Sequence, residues 1–169
     1  MLGARVLVVI GSSLLPAMQA SATEPPACAG FKWPVSQERA AFTEPSLPRL
    51  TSGSAVPAGV EAMALALRPA SAVTLPVPPG RTAKPGTFSG FVTATVASPG
   101  TYQVTLSEAA WVDLSQDGRT PLEPAAHSGT TGCPEVRKTL RFALRPGTVT
   151  VSIANAPTDR IAIGLRRAE

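Results

Sequence analysis

This chain is short of the residues that most protein chemistry relies on. Its 169 residues include one histidine, two cysteines, one tyrosine and two tryptophans, and aromatic side chains make up 5% of the total. So few rings argue against a sugar-binding face of several exposed aromatics. There is no glycine-rich phosphate loop, G-x-S-x-G elbow or H-E-x-x-H pair, which removes the familiar sequence routes to an enzyme. No second apolar stretch approaches the roughly 20 residues of a spanning helix. After its first segment the chain is therefore expected to be soluble, with no transmembrane segment. Basic residues are scattered except at Arg137-Lys138-Arg141 and Arg166-Arg167. Neither cluster is interleaved with aromatics, so nucleic acid is not an expected partner; both read as solvated strand faces.

The N-terminus reads as an export signal. Arg5 gives a positive start, Val6 to Leu15 an apolar run broken only at Gly11, Ser12 and Ser13, and Ala20-Ser21-Ala22 a small-residue cleavage site. A signal peptide over residues 1–22 follows, cut after Ala22, with a periplasmic or secreted destination. The formal charge of +4 would fall by one with Arg5. What is left suffices for one compact core and not for two. Two cysteines in an exported chain most often pair. A Cys28–Cys133 bridge would close a loop of about 105 residues, worth roughly 4.7 kcal/mol in the chain-entropy model. A metal pair or a catalytic thiol competes with it, but nothing else at metal-ligand spacing accompanies either cysteine.

Residues 23–50 form a Pro-punctuated segment with large apolar groups at Phe31, Trp33 and Phe42. Pro34 suits the first turn of a helix to about Ala41, with Glu38 and Arg39 exposed; an edge strand over 31–35 is equally compatible. Bonded through Cys28, the segment would lie over the core like a lid. Residues 51–169 read as the folded domain, organised around 88–114. There Phe88, Val92 and Val96 share one face of a first run, and Tyr102, Val104 and Leu106 one face of a second. Ser98-Pro99-Gly100-Thr101 joins them as expected of an antiparallel pair. Alternation recurs at 62–68, at Val73, Leu75 and Val77, at Leu140 to Leu144, at Val149 to Ile153 and at Ile161 to Leu165, while 120–134 has no periodicity. About eight short strands at this spacing predict an all-β fold, an antiparallel β-sandwich of jelly-roll or Greek-key type.

Three constellations invite a chemical reading. His127 is the lone imidazole, and Ser128, Glu123 and Asp113 are conceivable partners for a catalytic base; the competing reading is a loop histidine bonded to backbone or solvent. Asp113-x-Ser115-x-Asp117-Gly118 resembles the opening of a calcium loop, but the twelfth position is Pro124, with Glu123 one place too early. The alternative is a strand end at Asp113 followed by an Asp-Gly hairpin turn. Trp111, Tyr102 and Trp33 could stack on a sugar or simply fill the core. Residues 120–133, and after them 81–86, are the loops expected to meet a partner.

The pattern Cys28-x-x-Phe31-x-Trp33, Gly100-x-Tyr102-x-Val104-x-Leu106, Ala110-Trp111-Val112-Asp113 and Gly132-Cys133 resembles a group of small exported alphaproteobacterial proteins of uncharacterised function. The Gly-x-Tyr-x-Val-x-Leu strand also resembles the pre-peptidase C-terminal type of β-sandwich, a non-catalytic accessory domain. Some members of the first group carry a homogentisate 1,2-dioxygenase label. An iron site of that kind needs two histidines and a carboxylate, and one histidine cannot supply them. The expectation is therefore a non-catalytic, disulfide-stapled sandwich without a cofactor. It would have a binding or envelope-associated role toward a periplasmic protein or a glycan, with Trp111, Asp113 and His127 as candidate ligand contacts. A metal-dependent enzyme built on His127 and a carbohydrate-binding module are the alternatives.

Overall fold

The computed structural model describes residues 24–168; the signal peptide read from residues 1–22 lies outside them. Ten strands form two sheets. In chain order they are β1 (Arg49–Thr51), β2 (Ala62–Ala66), β3 (Arg68–Pro69), β4 (Phe88–Val96), β5 (Gly100–Leu106), β6 (Trp111–Ser115), β7 (Ala126–Gly129), β8 (Lys138–Leu144), β9 (Gly147–Ala156) and β10 (Arg160–Arg167). The first sheet runs β1-β2-β10-β5-β8-β7 and the second β3-β4-β9-β6. One short helix, α1 (Ser36–Thr43), precedes them.

Period-two alternation decides what each strand buries. Val104 and Leu106 on β5, Leu140, Phe142 and Leu144 on β8, and Ile161 and Ile163 on β10 point inward from the six-stranded sheet. Val92, Ala94 and Val96 on β4 and Val149, Val151 and Ile153 on β9 do so from the other. All belong to one continuous core. At about 25 cal/mol per Å² of apolar surface removed from water, this shared interior is the main stabilising term.

The reverse face of the six-stranded sheet is also covered. Gln103, Thr105 and Thr139 are fully buried there, and a Cβ built on Gly164 would touch Glu38 and Phe42 of α1. The Cys28–Cys133 disulfide, with S–S 2.10 Å, anchors this cover. Around it Phe31, Val35 and Val136 form a second small apolar cluster, with Phe42 packed against it. The N-terminal segment therefore lies over the outside of a sheet, with its end stitched in as β1.

Several expectations need correction. The described residues form ten strands, not about eight, and β1 pairs with β2 in parallel while the other strand pairs among them are antiparallel. Runs β4 and β5 do not form a hairpin: β4 pairs with β9, and β5 with β8 and β10. The chain changes sheets at Ser98-Pro99-Gly100, and alternation specifies a buried face without naming the strand alongside it. Val73 to Val77 is not a strand, because Pro76, Pro78 and Pro79 lack the N–H groups a ladder needs, although Val77 is buried. Within the aperiodic 120–134 segment lies β7, paired to β8. Glu38, expected to be exposed, is 4% exposed.

Candidate functional site

An open cleft of ≈ 510 Å³ lies beside the edge strands β6 and β7. Ala109, the buried Ala110 and the half-buried Trp111 line it together with Arg81, Lys84, Arg137 and Lys138, with His127 and Ser128 of β7 on one side. No carboxylate lines it. Ion pairs among the described residues are confined to Arg39–Glu135 and Arg166–Glu38, so none of these four cations is in direct contact with a carboxylate.

Each cation has a local reason for its position. Lys138 shares the inward face of Leu140, Phe142 and Leu144, but at the end of β8, where the core runs out. Its ammonium lies 5.3 Å from the centre of the Trp111 ring and 3.5 Å from the Ala110 carbonyl, to which it donates. Burial, and secondarily the charge of Arg81, push its pKa down, while Asp113 pulls it the other way. An unpaired ammonium leaving water explains that sign.

Arg81 approaches from the 80–87 loop, its guanidinium 4.6 Å from the same ring centre. Asn155 clamps that loop: its Oδ1 accepts from Lys84 N at 2.8 Å and its Nδ2 donates to the Thr82 carbonyl at 3.2 Å. Asn155 itself is left-handed, φ 57°, a conformation that asparagine tolerates better than most residues. At the loop's start the chain runs tight against the ring. A Cβ on Gly80 would stand 3.3 Å from Trp111 Nε1 and 3.4 Å from Asp113 Oδ1. Arg137 donates from its guanidinium to the Thr130 carbonyl, which holds it at the rim.

Asp113 works behind the ring, not in the cleft. Its Oδ2 accepts from Trp111 Nε1 at 2.8 Å and from Gly80 N at 3.0 Å, fixing both the indole and the loop. It lines a neighbouring cleft of ≈ 530 Å³, which shares Trp111 and Lys138 and also holds Glu123. Trp111 thus stands as a wall between a purely basic cleft and one containing acids.

The remaining candidates fall as follows. His127 is exposed on β7 beside the cleft, while the next residue, Ser128, is buried, as alternation on a strand requires. The Ser128 hydroxyl accepts from Lys32 N at 2.9 Å. No hydrogen bond among the described residues joins His127 to Ser128, Glu123 or Asp113. Ser115 and Asp117 do come together, without Asp113, as a turn. Ser115 Oγ donates to Asp117 Oδ1 at 2.8 Å, and the same oxygen accepts from Arg119 N and Thr120 N. These backbone N–H donors hold the Asp117 carboxyl well below the usual range. Among the described residues no group of three or more His, Cys, Asp or Glu is placed to hold a metal ion. Trp33 lies under the Arg141 guanidinium at 4.2 Å, on the covered side of the six-stranded sheet.

The sequence reading offered Trp111 and His127 as candidate contacts and residues 120–133 and 81–86 as contact loops; residues from all of these line this cleft, together with Ala109 and Ala110 from a turn it did not name. It missed Lys138 and Arg137 by reading them as a solvated face. The available signal was parity: Lys138 stands two residues before Leu140, on the apolar side. In comparison with known proteins, the chain matches no protein-family model and no curated protein.

Proposed function

We propose that this protein is a non-catalytic binding module exported to the periplasm or beyond, built as an antiparallel β-sandwich of jelly-roll or Greek-key type, and that its ligand is anionic. The observation carrying this reading is the cleft at Trp111, which Arg81, Lys84, Arg137 and Lys138 line with no carboxylate among the lining residues. Cations gathered without counter-charge repel one another at a cost to the fold, and an anion removes that cost. The volume lies within the 300–1,000 Å³ usual for small-molecule sites. The disulfide supports an oxidising compartment, and an envelope-associated role follows from that address.

The Trp111 ring already faces two cations, so recognition here rests on charge more than on stacking of a neutral sugar.

Calorimetric titration with glucose 1-phosphate and with glucose, at low and at physiological salt, tests the proposal. Binding of the phosphate alone, weakening as salt rises, is the expected result. Binding of glucose with equal affinity, or of neither compound, would overturn it.

A further inference from the structure

The stretch between β7 and β8, residues 130–137, is held from two sides. The N-terminal cover holds one of them. Cys133 is bonded to Cys28, and Val136 packs in the cluster of Phe31 and Val35. A Cβ on Gly30 would stand 3.2 Å from Thr130 Oγ1, and one on Gly132 would stand 3.9 Å from Ala27 Cβ. Arg39 of α1 donates to the Pro134 carbonyl and to Glu135 Oε2, each at 3.2 Å.

The other side of the same stretch meets the cleft at Trp111, which Ser128, Gly129 and Arg137 line. The Arg137 guanidinium is tied to the Thr130 carbonyl, so its place follows that of the stretch. A Cβ on Gly129 would stand 3.1 Å from the Arg137 carbonyl, and Ser128 Oγ accepts from Lys32 N of the cover at 2.9 Å. Cover and cleft wall are one contiguous network of contacts, the physical route by which two places in a fold are coupled. Within it Glu135 has φ 63°. A residue in the left-handed region persists where its surroundings over-determine it, and such residues gather at switch regions. Here the determinants are Arg39 and the bridge two residues earlier. Glu38 holds the cover to Gln103 and Arg166 instead. It makes no hydrogen bond to this stretch among the described residues and stands outside the coupling.

Resting on the anion-binding reading above, we infer that the cover gates the cleft. With the Cys28–Cys133 bridge closed, the 130–137 stretch holds Ser128, Gly129 and Arg137 in the wall; opening of the bridge by a dithiol releases the stretch and lowers affinity for the anion. In that exchange a thiolate of the dithiol attacks one cysteine sulfur, the S–S bond breaks and a mixed disulfide forms. The second thiol of the reductant then displaces the remaining cysteine. The protein takes up two electrons and two protons as two thiols, and the dithiol leaves as a disulfide. Cys28 is 1% exposed and Cys133 9%, so exchange follows local opening of the cover.

The test is calorimetric titration of glucose 1-phosphate into the disulfide-bonded protein and into the same protein reduced with dithiothreitol, an uncharged dithiol that does not compete for a basic cleft. Near-ultraviolet circular dichroism at the assay temperature checks that the reduced protein is folded. Affinity should fall about fivefold or more on reduction. Glu135→Ala keeps the bridge and lies outside the cleft; where reduction unfolds the chain, this variant decides alone. Removing an acid two residues from Arg137 would by charge alone tighten anion binding, whereas release of the stretch should weaken it. Unchanged or tighter binding by Glu135→Ala, or equal affinity in the oxidised and the folded reduced protein, overturns the gating while leaving the anion site in place. No binding by the oxidised parent overturns the anion-binding reading and the gating with it.

Discussion

Two tryptophans in this molecule each lie under an arginine, and their surroundings differ in one respect. At Trp33 the Arg141 guanidinium sits 4.2 Å from the ring centre and belongs to a network that contains an acid. Glu38 Oε1 accepts from Arg166 Nε and from Gln103 Nε2, both at 2.6 Å, and Gln103 Oε1 accepts from Arg141 at 3.4 Å. A helix and a disulfide cover this layer. At Trp111 the stack is built from Arg81 and Lys138 over an open cleft, and the nearby acid, Asp113, is bonded to the indole N–H and to Gly80 N instead of to a cation. A charge balanced inside the fold serves to dock a segment. Charges left unbalanced at a cleft await a counter-ion from outside.

The largest way to break the comparison is at the disulfide. Replacing Cys28 and Cys133 by serine should lower stability by up to about 4.7 kcal/mol on the chain-entropy account, read by urea unfolding. The N-terminal segment should be the first part to become accessible to protease. Glu38→Gln is next. It leaves the Arg166 guanidinium, whose side chain is 18% exposed, without its carboxylate in a largely buried layer. Loss of one partner of such a pair should cost roughly 3 kcal/mol, while affinity for anions at Trp111 stays unchanged in calorimetry.

Lys138→Met sharpens the contrast in the opposite sense. Its folded-state pKa is depressed by burial, so below that value the charged amine works against folding, and the penalty lifts as pH rises toward the unfolded value of about 10.4. The methionine variant should therefore be more stable than the parent at neutral pH. That advantage should shrink in alkaline urea titrations, and anion binding should weaken at neutral pH, where the parent's amine is charged. A loss of stability at pH 7 would show that the amine's contacts with Trp111 and Ala110 outweigh its desolvation.

The smallest effect concerns the Asp117 turn, away from both tryptophans. Its carboxyl pKa is lowered by N–H donors from Thr120 and then Arg119, so its contribution is fully present above the unfolded value of about 3.9 and fades as pH falls below it. Asp117→Asn should reduce stability slightly at pH 7, and the gap from the parent should narrow below about pH 4.

Much of the architecture was legible because alternation is a local signal. Val104 and Leu106, or Leu140 and Phe142, announce an inward face from their own neighbours alone. Strand partners were not legible, since whether Ser98-Pro99-Gly100 closes a hairpin or carries the chain to a second sheet depends on residues far away. Val77 misled for the converse reason: it is buried, and its neighbouring prolines forbid a ladder. Of the candidate site, Trp111, His127 and the 81–86 loop could be proposed from composition and turn signals. The convergence of Arg81 with Lys138 could not, because 57 residues and several sheet crossings separate them in the chain. Glu38 was hidden likewise; nothing near it in sequence predicts the Arg166 it pairs with.

The central claim is that only the uncompensated tryptophan marks a ligand site, and both indole N–H groups can report on it in one spectrum. With ¹⁵N-labelled, disulfide-bonded protein, glucose 1-phosphate should shift the Trp111 indole resonance together with the Arg81 to Lys84 amides. The Trp33 indole should stay in place. A shift at Trp33, or none at Trp111 under conditions where calorimetry detects binding, would contradict the account.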